Sequence, residues 1–388
     1  MKTTFLLFVI LAIFLNSLIL HSQTGTVNDI GDPYTNPMWE YYSDNMLSTV
    51  SAGKGFSGVA SNGDISSICL NPASPVIKNK MQFYAGSTIK SNIYLIPKDN
   101  SYYIGNGFPS IFVGGIYRLN KYFHLGLIYR NDFSYKEYYN NLSDSVNHMF
   151  YSNGEVTNQM VTHIITIPVL YNREVISVGA NVNITNYRAN QKVQFHSIGL
   201  PNYNENTYST LWKLSFQFGF LFHLNEYISF GATYLPGMTE ETEWYLDGLD
   251  DIPFSSMVKY PDRFNIGTEI RLLKKKLNLT LDYQFSNISV YYDYLKNRSD
   301  IHLGIEYIVD NALTLRTGYF TLYDFRNIPN KLVEWPGGTY SYEQFFITFG
   351  GSYKYKNMSF NIALMDSHLI VNSYVSHTKF NWGVCLDF

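Results

Sequence analysis

Residues 380–388 alternate strictly. Phe380, Trp382, Val384, Leu386 and Phe388 take one set of positions, and Asn381, Gly383, Cys385 and Asp387 take the other. Successive side chains of a β-strand point to opposite faces, so one face of this strand is large and apolar and the other is small or polar. Such a strand needs an apolar medium on one side and water or close packing on the other. A single strand of this kind constrains little. Its repetition along the chain constrains a great deal.

Thirteen earlier segments carry the same pattern. They begin at Met81–Ala85, Ile111–Tyr117, Phe123–Tyr129 and Met160–Leu170. The fifth sets Ile176, Val178, Ala180, Val182 and Ile184 against Ser177, Gly179, Asn181 and Asn183. The sixth sets Trp212, Leu214, Phe216, Phe218, Phe220 and Phe222 against Lys213, Ser215, Gln217 and Gly219. The rest lie at Ile228–Tyr234, Phe264–Ile270, Leu277–Phe285, Ile301–Tyr307, Leu313–Tyr319, Phe345–Phe349 and Met358–Leu364. With the C-terminal run the total is fourteen.

Short turns follow alternate strands, at Leu119-Asn120, Asn172-Arg173, Asn225-Glu226, Lys274-Lys275, Asp310-Asn311 and Lys356-Asn357. The intervening connections are mostly long, such as 131–159, 186–210, 236–260 and 323–343. An even strand number with alternating short and long connections predicts an all-β fold, a fourteen-stranded antiparallel transmembrane β-barrel. Composition agrees: aromatic residues make up 17 % and charged residues only 15 %, yet mean hydropathy is −0.12. A helical membrane protein would be far more apolar. A soluble all-β protein is the competing reading, but it leaves the alternation of loop lengths without a cause.

The N-terminus reads as a targeting segment. Lys2, an apolar run from Phe5 to Leu20 and Ser22-Gln23 predict a signal peptide over 1–22, with a membrane anchor as the alternative. Residues 23–79 do not alternate, and the barrel is expected over 80–388. Within the non-alternating part lies Ala52-Gly-Lys-Gly-Phe-Ser-Gly-Val-Ala-Ser-Asn-Gly-Asp-Ile-Ser-Ser-Ile-Cys-Leu-Asn-Pro-Ala-Ser74. Its small residues permit close backbone packing, and Asp-x-Ser-Ser and Asn-Pro are turn signals.

The order Gly-Val-Ala, then Asp64, Ser66 and Ser67, then Asn71-Pro72-Ala73 ahead of the first strand resembles the FadL/TodX family of outer-membrane transport barrels. It also resembles the related PorV-like barrels of type IX secretion. Ser74 stands where the family pattern has Gly. A strand ending on an aromatic (Phe380, Trp382, Phe388) similarly resembles the closing strand of bacterial outer-membrane barrels. The resemblance implies an N-terminal hatch segment (23–79) inside the barrel, with Asp64, Ser66, Asn71, Pro72 and Ala73 as structural hatch residues. It implies location in the outer membrane of a Gram-negative bacterium. The function it implies is uptake of hydrophobic small molecules, such as long-chain fatty acid-like or aromatic solutes. A non-transporting barrel that binds or shuttles exported proteins is the alternative. Expected partners are outer-membrane lipids, the hydrophobic ligand and the barrel-assembly machinery.

Two groups of residues invite a closer look. Cys69 and Cys385 could form a disulfide or stay as two buried thiols. The inward positions Glu269, Arg271, Asp282, Glu306 and Arg316 would form either a self-neutralising network in the lumen or a polar step on a solute path. Inward His223 and His302 suggest structural roles. No catalytic motif or metal spacing occurs, so neither enzyme activity nor a cofactor is expected. The net charge of −3 gives no reason to expect nucleic acid.

Overall fold

A computed structural model describes residues 48–75, 77, 79–91, 93–94, 102–105, 109–131, 134–146, 149–196, 203–246, 254–289, 296–324, 343–370 and 376–388. The expected signal peptide (1–22) and residues 23–47 of the expected hatch lie outside them. Among the described residues nineteen strands form one sheet. They are β1 Met81–Lys90, β2 Ile93–Tyr94, β3 Tyr102–Gly105, β4 Ser110–Arg118, β5 Phe123–Arg130, β6 Ser134–Val146, β7 Met149–Asn172, β8 Ile176–His196, β9 Tyr203–His223 and β10 Ile228–Leu235. There follow β11 Met238–Leu246, β12 Phe254–Tyr260, β13 Arg263–Leu272, β14 Leu277–Ser286, β15 Arg298–Ile308, β16 Leu313–Leu322, β17 Gln344–Tyr355, β18 Met358–Asp366 and β19 Thr378–Asp387.

Fourteen of these make the barrel. β1 pairs with β4, β4 with β5, β5 with β7, β7 with β8, β8 with β9, β9 with β10 and β10 with β13. From β13 to β19 each strand pairs with the next. β19 then pairs antiparallel with β1 from Gln82↔Asp387 to Lys90↔Lys379, which closes the ring. A closed ring has no edge, so every strand can satisfy its backbone groups within a membrane.

The outward positions carry the large side chains. On β9 Trp212, Leu214, Phe216, Phe218 and Phe220 are all exposed, and on β19 so are Phe380 and Trp382. Their neighbours Lys213, Gln217, Lys379 and Asn381 face inward and are buried. A wall that exposes aromatics outside while burying polar groups inside is inverted relative to a water-soluble protein and suits lipid.

Three of the short turns share one device. Asn120 accepts from the N–H groups of Tyr122 and Phe123, Asn225 from those of Tyr227 and Ile228, and Asp310 from those of Ala312 and Leu313. These are Asx turns, which explains the recurrence of Asn or Asp at the same place. The Leu313 and Ala312 N–H donors hold the Asp310 carboxyl below the usual range.

The opposite end is taller than expected. β8 and β9 run on to His196 and from Tyr203, and pair with each other far beyond the apolar band. β6 pairs with the upper part of β7, and β11 with β12. Outward residues there, such as Arg188 and Asn190, are polar because they stand clear of lipid. Hydropathic alternation therefore fades while strand pairing continues.

Candidate functional site

Residues 48–75 lie inside the barrel. A short helix, α1 (Thr49–Ala52), is capped by Ser48, whose side chain accepts from the Ser51 N–H. A 3-10 turn follows at Ile65–Cys69. Asp64 caps that turn: its carboxylate accepts from the Ser66 N–H at 2.9 Å and from the Ser66 hydroxyl at 2.5 Å. The Ser67 hydroxyl donates to the Asp64 carbonyl at 2.7 Å. This is the N-cap logic of an orphan N–H met by a short acceptor side chain.

Asn71 joins three pieces of chain. Its Nδ2 donates to the carbonyls of Val59 (2.6 Å) and Phe220 (3.1 Å), and its Oδ1 accepts from the Ala73 N–H (2.9 Å). The expected hatch residues Asp64, Ser66, Asn71, Pro72 and Ala73 thus build two local turns, with Asn71 also reaching the β9 wall.

Inward glycines make the seat. A Cβ added to Gly179 would lie 2.2 Å from the Pro72 carbonyl oxygen, and at Gly219 it would lie 2.2 Å from Asn71 Oδ1. At Gly231 it would meet the Val59 oxygen at 2.1 Å, and at Gly318 the Gly55 nitrogen at 2.3 Å. Several of these glycines pair across the ladder: Gly179↔Gly219, Gly231↔Gly267 and Gly304↔Gly318. They form a track along the wall in which backbone packs on backbone.

Polar inward groups complete the seat. Asp282 Oδ2 accepts from the N–H groups of Gly58 (2.6 Å) and Val59 (2.8 Å). Thr348 accepts from the Gly55 N–H (2.9 Å) and donates to the Gly53 carbonyl (3.1 Å). Asn181 donates to the Ile68 carbonyl, and Gln217 to the Cys69 carbonyl. Lys54 is itself buried, donates to Ser61 and acts electrostatically on Asp282 and Glu306.

The five charged residues read from the sequence do not form one hydrogen-bonded network. Glu269 pairs with Arg271 on the same strand. Glu306 pairs with Arg316 at 2.6 Å across β15–β16 and accepts from Asn278. Arg316 continues through Ser352 to Asn361, making a polar belt toward the short-turn end. Asp282 serves the luminal segment instead. A further buried pair, Arg298–Asp300 at 2.6 Å, lies toward the long-loop end. Periodicity marks such positions as inward but does not say which charges meet.

On its other side the segment meets an apolar cluster, beside which the Ile65 N–H donates to Gln82, Thr49 bonds the Tyr84 hydroxyl and Asn172 donates to the Pro75 carbonyl. Ile65 and Ile68 pack with Tyr84, Phe112, Ile116, Ile128, Leu170 and Cys385, and Cys69 borders the cluster. The thiols of Cys69 and Cys385 are not joined in a disulfide. Cys69 Sγ accepts from Arg130 at 3.4 Å instead.

The wall beside this cluster is interrupted. The β5–β7 ladder runs Phe123↔Tyr171, His124↔Leu170 and Leu125↔Val169, then resumes at Ile128↔Thr166 in the same register. Gly126, Leu127, Ile167 and Pro168 fall in the gap. Proline has no N–H to give the ladder, and its ring, with Ile116 and the Gly115 carbonyl, lies 2.8 Å from where a Gly126 Cβ would stand. Ile128 and Leu170, which flank the gap, belong to the apolar cluster.

Toward the long-loop end the segment is covered by aromatic rings. Phe320 stacks on Phe346 at 4.5 Å and on His302 at 5.8 Å, and the Phe56 ring meets Phe320 edge-on at 5.2 Å. His302 is therefore part of the luminal layer, whereas His223 bonds Ser229 near the short-turn end.

The fold of solved structures matches this arrangement. The chain superimposes on the Ralstonia pickettii toluene transporter TbuX with a TM-score of 0.59 and 15 % identity, over 87 % of this chain and 96 % of that one. It matches a Pseudomonas aeruginosa FadL homologue with a TM-score of 0.63 and 13 % identity, over 94 % and 100 %. The Pseudomonas putida toluene transporter TodX gives 0.58 and 13 %, over 88 % and 98 %. The chain shares the fold of these transporters. No family model matches the sequence, and no curated protein does.

Proposed function

We propose that this protein is an outer-membrane channel for hydrophobic small molecules, with residues 48–75 as part of its hatch. The neighbours of the same fold include two toluene transporters, and the sequence resemblance points the same way. The single observation that carries the reading is the gap in the β5–β7 ladder beside the apolar cluster. A filled lumen blocks aqueous diffusion. An apolar solute that displaces Ile65 and Ile68 from that cluster reaches a part of the wall where two residue pairs lack ladder bonds. It can then leave sideways into lipid without crossing the polar belt around Glu306 and Arg316. A shuttle for exported proteins has no use for such a gap.

The test staples the gap. Leu127 and Ile167 face outward at opposed positions of the register. In a background of Cys69→Ser and Cys385→Ser, Leu127→Cys with Ile167→Cys is oxidised and reduced in cells of a channel-deficient Gram-negative host. Saturable entry of labelled toluene should fall on oxidation and return with reductant. Entry that ignores the staple would contradict a lateral route, and absence of any saturable entry would remove the uptake reading.

A further inference from the structure

The row of rings above the luminal segment contains a polar atom left unpaired among the described residues. His302 is buried, 5 % exposed, and its Nδ1 lies 2.9 Å from the Gly55 carbonyl oxygen. A carbonyl can only accept, so Nδ1 carries the proton and donates. In the neutral ring Nε2 is then an acceptor. It is buried and has no hydrogen-bond partner among the described residues. Native proteins leave few such groups unmet, because each one costs free energy.

The residue held beside it is strained. Gly55 and Phe56 are consecutive left-handed residues, at φ 65° and φ 54°. Glycine adopts this freely, but a bulky aromatic residue does so rarely. The conformation places the Phe56 ring edge-on against Phe320, whose other neighbours are His302 and Phe346. Phe56 is thus a ring from the chain's own hatch set against Phe320, the ring on which His302 with its unmet acceptor stacks.

Resting on the uptake reading, we propose that this site takes a hydroxylated aromatic solute of the phenol class. Its ring replaces Phe56 against Phe320. Its hydroxyl donates to His302 Nε2. Displacing Phe56 lets Gly55 and Phe56 leave the left-handed region, so occupancy and loosening of the hatch are coupled. A bare hydrocarbon can fill the ring position but leaves Nε2 unmet, so the site prefers the hydroxylated solute.

The test compares p-cresol with toluene, which differ by one hydroxyl. Affinities are measured by ligand-observed NMR titration of the full-length protein, with wild type and His302→Phe in the same detergent so that micelle partitioning cancels. The p-cresol to toluene affinity ratio should be about tenfold higher for wild type than for His302→Phe, as one hydrogen bond to a buried acceptor provides. An equal ratio in the two proteins would overturn the proposal. Phe56→Ala carries a second arm should His302→Phe fail to assemble: vacating the ring position should tighten binding of both solutes severalfold, and unchanged affinities would overturn the site. Saturable toluene entry with an equal ratio would overturn the hydroxyl site and leave uptake standing. Failure of both solutes to bind, with no saturable entry, would remove both.

Discussion

The luminal segment meets the barrel in two different ways. Toward β8–β10 and β13–β17 it lies backbone to backbone on a glycine track, tied by Asp282, Thr348, Asn181 and Gln217. Toward β1, β4, β5 and β7 the apolar packing of Ile65 and Ile68 is joined by fewer hydrogen bonds, from Gln82, Tyr84, Arg130 and Asn172. Hydrogen bonds have preferred lengths and angles, so the first contact fixes one position. Apolar burial is non-directional and tolerates sliding. The difference places the denser anchor on one side of the lumen and the less constrained contact on the other, where the ladder is also interrupted.

Substitutions can break this contrast, beginning with the largest effect. Gly231→Leu forces side-chain atoms into the Val59 carbonyl, which backbone cannot readily yield. We expect a cost of about 3 kcal/mol in seating the segment, read as protease cleavage within residues 48–75. Gly351→Leu is the control, since a Cβ there meets only the Thr314 oxygen at 3.7 Å. Equal cleavage in the two variants would mean that the glycine track does not hold the segment.

Asp282→Ala should come next. It removes a carboxylate that accepts two backbone N–H groups, at about 2 kcal/mol. Hydrogen exchange at Gly58 and Val59 should accelerate by roughly thirtyfold. Exchange as slow as in wild type would show that the anchor lies elsewhere. The smallest effect belongs to the apolar side. Ile68→Val should cost about 1 kcal/mol and speed exchange in the 3-10 turn, with Gly58 and Val59 unmoved. Loosening of Gly58 in that variant would mean that the two contacts act as one.

These contrasts were unevenly legible in the sequence. All fourteen barrel strands could be read because lipid demands large outward groups at every second position, as in Trp212–Phe222. The short turns at Asn120, Asn225 and Asp310 could be read because each is local. The extensions of β8 and β9 could not, since outward residues such as Arg188 lie beyond the lipid. Inward glycines such as Gly179 and Gly219 were visible as small residues, but their common purpose needs the register between strands. Asp282 could be placed inward, yet its partners Gly58 and Val59 lie more than two hundred positions earlier. Phe56 gave no signal, because its importance rests on a backbone conformation and on rings contributed by β15, β16 and β17.

The central claim is that residues 48–75 close the lumen. Single-channel conductance in planar bilayers tests it most directly, comparing the full-length protein with a variant lacking 48–75. The barrel ladder closes through β1 and β19 without the segment, so the deletion should leave a folded barrel. The full-length protein should show conductance near zero, and the deletion variant that of an open aqueous pore. A full-length protein that already conducts as freely as the deletion would contradict the account.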